Sequence, residues 1–251
     1  RVLVGLGVDV QGVKHVLGLT EGGSENAVVA KGLLEDLVER GVKPGRRRLF
    51  VIDGSKALRK GIDEVYGSEN PVQRCRAHKV RNVMDHLPEE LKDQVKSVMK
   101  AAYRLESAEG MQKLKQQARW LEGEYPSAAA SLLEGLEETF TVNRLGLPPK
   151  LRRCLCTTNL IESPHSGVRM RTRRVCRWRD QEMVMYWAAA AWTATEKNFR
   201  RIQGYQDLWV LKAALDEDFT RDKVAPERRV GWDMDEGAAT VPSTANGALS
   251  R

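Results

Sequence analysis

Two acidic residues sit where their neighbours can place a carboxylate in a cleft. Asp53 ends the apolar run Leu49-Phe50-Val51-Ile52 and precedes Gly54-Ser55, so it falls at the C-terminal end of a short buried strand. In open α/β sheets, ligands bind in the crevice outside the C-terminal ends of the strands. A plainer role also suits Asp53, that of starting the turn or capping the helix that begins at residue 55. Glu162 lies in Thr157-Thr158-Asn159-Leu160-Ile161-Glu162-Ser163, where Asn159 can cap a helix and Glu162 completes a capping-box-like arrangement three residues on. If the two met beside a phosphodiester, they would offer hard oxygen ligands to Mg²⁺. Two such ions can activate the attacking oxygen and stabilise the leaving one in an in-line displacement. The spacing gives each carboxylate a support and leaves open whether the two meet.

Cys75 and His78 form a C-x-x-H pair. One reading is a zinc site completed by Cys154-x-Cys156; the other is packing. Cys154 and Cys156 are two apart and would face opposite ways on a strand, which favours packing. Downstream of Glu162, Arg169, Arg171, Arg173, Arg174, Arg177 and Arg179 fall within eleven residues, with Trp178 among them. Guanidinium groups suit bidentate phosphate contacts, and a tryptophan can stack on an unpaired base. A solvated helix face is the ordinary explanation for a charge run. No acid follows until Asp180, however, so these arginines are hard to balance locally, and DNA contact is the better reading. A second basic cluster, Arg74, Arg76, Lys79 and Arg81, flanks the C-x-x-H pair.

The elements that must position these groups follow from periodicity. Residues 1–10 and 14–20 are apolar, β-branched runs around Gln11-Gly12 and read as a hairpin. Residues 25–40 space Ala27, Val28, Leu33, Leu34, Leu37 and Val38 as an amphipathic helix, with Gly41 as its stop. A strand ending in Asp53, a helix over 55–66 and a strand from Val72 to His78 come next. Helix formers then dominate to Glu138, with Pro148-Pro149 as the end of that block. A helix holding Glu162, a Trp/Ala-rich helix over 181–202 and a shorter helix at 206–215 complete the pattern. Met183, Met185, Trp187 and Trp192 in the second of these read as core. This order predicts an α/β domain with a mixed sheet, for which an RNase H-like fold lacking its first strand is one candidate. The divisions are residues 1–80 and 151–215 for the α/β part, 81–150 for an all-helical insertion, and 216–251 for a charged, then Gly/Ala/Ser/Thr-rich, disordered tail.

The 251 residues carry a net charge of +7, which points to a polyanionic partner, nucleic acid being the commonest. Four cysteines make no disulfide framework, so reduced thiols in a cytoplasm are expected. No apolar run approaches the roughly 18 to 20 residues that a membrane span needs. Opening in mid-strand on Arg1-Val2-Leu3-Val4, the sequence reads as a fragment.

Val51-Ile52-Asp53-Gly54-Ser55-Lys56-Ala57-Leu58, Cys75-Arg76-Ala77-His78-Lys79 and Thr157-Thr158-Asn159-Leu160-Ile161-Glu162-Ser163 together resemble three motifs of the bacterial Mutator-type transposases, in that family's order. The helical block with Trp120 and Tyr125-Pro126 resembles the family's insertion domain. The resemblance covers roughly residues 1–215. It implies an RNase H-like mixed sheet flanked by helices and interrupted by an all-helical insertion, with a DDE triad that cuts and rejoins DNA. Asp53 matches the second acid and Glu162 the third, together holding Mg²⁺ or Mn²⁺, as two ions. Cys75, His78 and Asn159 fall in active-site-supporting positions. The family's first acid lies on a strand preceding Arg1, and Asp9, one strand later, does not match it. Pro164, where the family has a helix-compatible run, puts the helix register in question. The implied partners are double-stranded element ends and target DNA, bound by a homo-oligomer in the bacterial cytoplasm at the nucleoid, with no membrane. The rival readings are an inactive DNA-binding remnant and a nuclease of the same fold without strand transfer.

Overall fold

The computed structural model describes residues 2–22, 26–173, 175, 177 and 179–224, with side chains to 217. Strands β1 (Val2–Val8) and β2 (Lys14–Glu21) form an antiparallel hairpin, with Val8 opposite Lys14 and Val2 opposite Glu21. The register steps between Gly5 and Leu6, where Leu17 is left over as a bulge. Asp9 makes the turn. Its Oδ1 accepts from the backbone N–H of Gln11 at 2.8 Å and of Val13 at 2.9 Å, and Gly12 takes φ +77°. The Asp9 carboxylate is thereby committed to the hairpin.

Helix α1 (Ala27–Glu39) is capped by Asn26, whose Oδ1 accepts from Val28 and Val29, and it buries Ala30, Leu33, Leu34 and Leu37. Strand β3 (Phe50–Ile52), helix α2 (Lys56–Tyr66) and strand β4 (Val72–Arg74) make a β-α-β unit in which Phe50 pairs with Val72 and Ile52 with Arg74, in parallel. Leu34, Ile52, Ile62, Tyr66 and Val72 form the core beneath it. Among the described residues the strands pair as two separate two-stranded ladders, so the chain is mixed α/β with small sheets.

The strand expected over Val72–His78 stops at Arg74, and helix α3 (Arg76–Met84) starts two residues later. Arg76 and Lys79 explain the change. They lie three apart on one helix face and are both buried, at 8% and 2% exposure; a strand would send them to opposite faces. Helices α4 (Glu89–Ala102), α5 (Ser107–Glu122) and α6 (Pro126–Leu133) continue the helical block over a core that includes Val83, Val95, Met99, Leu114, Leu132 and Phe140. Gly110 allows its closest approach, since a Cβ there would lie 2.4 Å from Phe140 Cε1 and 2.6 Å from the Ala102 carbonyl.

Helices α7 (Thr141–Arg144) and α8 (Pro149–Leu155) follow, the latter with Pro149 in its first turn, where its missing N–H costs nothing. Pro148-Pro149 thus starts a helix rather than only closing a block, and Cys154 is helical. Helix α9 (Asn159–Thr172) runs through Pro164, and α10 (Gln181–Glu196), capped by Asp180, packs against it. The two approach closely at Gly167, where a Cβ would lie 2.8 Å from Thr195 Cγ2. Trp192 is core at 2% exposure, but Trp187 is 42% exposed and Met183 and Met185 are half-buried, so the expected apolar core of this helix is confined to its second half. Helix α11 (Leu208–Val224) extends past residue 216, where the sequence predicts a tail; the rest of that tail, 225–251, lies outside the described residues.

Candidate active site

Parallel pairing of β3 and β4 brings the ends of both strands together, and the Cys75 N–H donates to the Ile52 carbonyl at 2.8 Å. Asp53 follows β3 and turns away through Gly54, which takes φ +111°. Its Oδ1 accepts from the Ser55 N–H at 3.0 Å, and the Ser55 hydroxyl caps α2 by accepting from Leu58. The expected turn role of Asp53 is therefore real, and it coexists with a cleft position. Asp53, Ser55, Arg74, His78, Lys79 and Glu134 line a cavity of about 200 Å³.

Glu162 approaches His78 from the first turn of α9. Its Oε1 is 3.7 Å from His78 Nδ1 and also accepts from the Thr158 hydroxyl. That hydroxyl is 3.3 Å from His78 Nδ1 and 3.3 Å from Cys75 Sγ, and the Thr158 N–H donates to the same sulfur at 3.4 Å. Cys75 Sγ, a His78 nitrogen and a Glu162 oxygen all lie within 4.8 Å of one another. The start of α9 is thus docked on the start of α3, and His78 both lines the cavity that Asp53 lines and lies 3.7 Å from Glu162.

Asn159 takes a different place from the one its sequence context suggests. The N-cap of α9 is Thr158, and Asn159 is its exposed first residue. Thr158 is the residue that sequence reasoning missed. Its side chain contacts three of the singled-out residues, yet in sequence only its neighbour Asn159 carried a capping signal.

The basic cluster around the C-x-x-H pair turns inward. Arg74 pairs with Glu138 at 3.2 Å and Glu134 at 3.6 Å. The Arg76 guanidinium donates to the Thr139 carbonyl at 2.8 Å and to Asn143 Oδ1, over the ring of Tyr103. Lys79 Nζ donates to the carbonyls of Ser131 at 2.6 Å and Glu134 at 2.7 Å. Burial, with the Arg74 charge adding to it, pushes the Lys79 amine down to about 8. These cations fasten the helical block to β4, and of the four only Arg81 is exposed.

The downstream arginines divide as well. Arg169, Arg173, Arg177 and Arg179 are exposed, but Arg171 donates to the carbonyls of Gly167 at 3.1 Å and Ala194 at 3.4 Å, tying α9 to α10. Arg174, Cys176 and Trp178 lie outside the described residues. At about 1.5 Å per residue, Arg169 and Arg173 stand roughly 10 to 17 Å along α9 from Glu162.

The Cys154 and Cys156 thiols do not complete a four-ligand set with Cys75 and His78. Cys154 packs in the core around Leu151 and Leu155, and Cys156 Sγ donates to the Arg153 carbonyl at 3.3 Å. Burial pushes both thiols up.

A sequence profile of the transposases of the Mutator family matches residues 1–201, and the chain belongs to that family. It is 29% identical over 174 residues to the transposase for insertion sequence element IST2 of Acidithiobacillus ferrooxidans, covering 69% of this chain and 57% of the relative. It is 30% identical over 208 residues to the transposase for insertion sequence element ISRM5 of Rhizobium meliloti, covering 81% and 50%. It is 31% identical over 176 residues to the transposase for insertion sequence element IS6120 of Mycolicibacterium smegmatis, covering 68% and 52%. The chain thus spans about half the length of the relatives it matches. Among the described residues, no helix is long and apolar enough to cross a membrane.

Proposed function

We propose that this chain is the catalytic part of a DDE-type DNA transposase, built on an RNase H-like fold, that cleaves the ends of an insertion sequence and joins them to target DNA. One observation carries the reading. His78, which lines one cavity with Asp53, lies 3.7 Å from Glu162, and this shared neighbour of two residues distant in sequence supports a common site. Asp53 comes from the C-terminal end of a strand and Glu162 from the first turn of a helix, so rigid elements support both.

The donor set fits hard divalent cations, since both residues offer carboxylate oxygens and Glu162 is exposed enough to turn into the cleft. Asp53 and Glu162 would hold Mg²⁺ or Mn²⁺, as two ions, which supply charge stabilisation at the attacking and leaving oxygens of an in-line displacement. The turn contact from Ser55 holds the Asp53 carboxylate in place, and Thr158 orients Glu162. Arg169, Arg173, Arg177 and Arg179 lie on the far side of Glu162 along the chain and would track a duplex phosphate backbone, while Arg171 keeps α9 on α10. Both chemical steps use water or a DNA 3′-hydroxyl as nucleophile, so no serine or tyrosine of the protein is needed. A homo-oligomer would pair the two element ends, at the bacterial nucleoid.

The test uses a full-length protein of its relatives' size that contains these residues, with duplexes bearing the element ends. Mg²⁺-dependent nicking followed by joining to a second duplex supports a transposase. Nicking without joining indicates a nuclease of the same fold. Binding without either indicates a remnant.

A further inference from the structure

We propose that Cys75, His78 and Glu162 form a second kind of metal site, specific for a borderline-soft divalent ion such as Zn²⁺, next to the hard-ion site of the two carboxylates. The three side chains come from two elements, the start of α3 and the first turn of α9, and their ligand atoms lie within 4.8 Å of one another. Ligands at normal Zn–S, Zn–N and Zn–O lengths around a tetrahedral ion sit about 3.4 to 3.6 Å apart. The His78 Nδ1 to Glu162 Oε1 distance of 3.7 Å already matches, and small side-chain rotations of His78 and the exposed Glu162 would bring the ligands from within 4.8 Å to that spacing. A sulfur, an imidazole and a carboxylate form a donor set that favours Zn²⁺ over Mg²⁺, because Mg²⁺ takes oxygen ligands almost exclusively.

A second observation concerns the sulfur itself. Cys75 is fully buried, and the Thr158 N–H donates to Sγ at 3.4 Å, while the Thr158 hydroxyl, which donates to Glu162, lies 3.3 Å from the sulfur. On binding, the Cys75 thiol would release its proton to solvent, and Zn²⁺, thiolate and carboxylate would sum to zero charge, which avoids a net charge beside the core. Entry is from the Glu162 side, where that carboxylate and the quarter-exposed His78 reach solvent. Three protein ligands leave a fourth position for water. Glu162 cannot serve this site and the two-carboxylate site with the same oxygens at once, so Zn²⁺ would withdraw it from the latter. That consequence rests on the proposed function; the binding itself does not.

The experiment titrates the 251-residue chain with Co²⁺ and then with Zn²⁺, without DNA. Co²⁺ is expected to give a thiolate charge-transfer absorption and the visible bands of a tetrahedral ion, both displaced by Zn²⁺. Cys75→Ser should abolish the charge-transfer band, whereas the double variant Cys154→Ser, Cys156→Ser should keep it. Glu162→Gln, at an exposed position that does not threaten folding, should weaken Zn²⁺ binding by about tenfold or more, the loss typical of even an outer-shell partner. The proposal is overturned by the absence of a thiolate band, by a band that follows Cys154 and Cys156 instead, or by Zn²⁺ affinity unchanged in Glu162→Gln. Because no DNA is present, failure here is distinct from failure of the cleavage assay.

Discussion

Thr158 and Cys75 join two elements that lie more than eighty residues apart in the chain: the Thr158 hydroxyl lies 3.3 Å from Cys75 Sγ and its N–H donates to the same atom at 3.4 Å. The hydroxyl has one proton and three neighbours, Cys75, His78 and Glu162, so it can donate to one while accepting from another.

Thr158→Val keeps the side-chain shape and removes the hydroxyl. It should destabilise the fold by about 1 to 3 kcal/mol, the cost of leaving buried polar partners unmatched. It should also slow DNA cleavage, because Glu162 loses its orienting donor. Thr158→Ser should recover most of both. Thermal melts and cleavage rates of the two variants check this; a valine variant as active and stable as wild type would show that the hydroxyl positions nothing.

Lys79 predicts a pH dependence of stability. Its amine titrates at about 8 in the folded chain against a usual value of 10.5. Between those limits the unfolded chain holds more protons than the folded one. Stability should therefore rise with pH through this window, by up to about 1.4 kcal/mol per pH unit for one proton. Below about pH 8 the cost of the buried charge is fully present. Denaturant midpoints of wild type minus those of Lys79→Met, measured from pH 7.5 to 10, should climb. A flat or falling difference would contradict the shift.

Gly110→Ala sets two effects against each other. Alanine is favoured over glycine in a helix interior by about 1 kcal/mol. The added Cβ would meet Phe140 Cε1 at 2.4 Å and the Ala102 carbonyl at 2.6 Å, and overpacking of this kind costs about 1 to 3 kcal/mol. Because one of the contacts is backbone, the clash should win, and calorimetry should show a lower Tm. A raised Tm would mean that α4 and α5 separate freely.

The exposed arginines should act through salt. Replacing Arg169, Arg173 and Arg177 by alanine should flatten the slope of log affinity against log salt by roughly two to three units, equally for unrelated duplexes. Exposed charged side chains usually change stability by about 0.5 kcal/mol or less, and Arg173 caps α9 through its backbone N–H, which alanine keeps, so the triple variant should still melt normally. Arg171→Ala should do the reverse, lowering the Tm through the lost Gly167 and Ala194 contacts. An unchanged salt slope in the triple variant would make these arginines a merely solvated face.

Much of this arrangement was legible in the residues, and the parts that were not have physical causes. The hairpin, α1 and the strand leading to Asp53 follow from local alternation and helical spacing, which the neighbours of each residue determine. Asp53 was identifiable because an apolar run followed by Gly-Ser marks a strand end. The switch from strand to helix at Cys75 was hidden, since it depends on where Arg76 and Lys79 find their partners, at Thr139, Asn143, Ser131 and Glu134. For the same reason the interior places of Arg74, Arg76 and Lys79 were not legible in the basic cluster that flanks the C-x-x-H pair. Thr158 was invisible because a threonine before a helix is ordinary; only tertiary docking brings it to Cys75 and His78. Trp187 read as core because periodicity cannot say how far along a helix its packing extends.

The central claim, that Asp53 and Glu162 act on the same metal ions, is tested most directly by a double-mutant cycle on Mg²⁺-dependent cleavage by the full-length protein. Loss of a ligand that supplies several kcal/mol of charge stabilisation should slow cleavage by roughly 100-fold or more in Asp53→Asn and in Glu162→Gln alike. If both carboxylates serve one site, the double variant should be no slower than the slower single variant, since residues acting as a unit are strongly non-additive. Near-wild-type cleavage in either single variant, or losses that multiply in the double variant, would contradict the account.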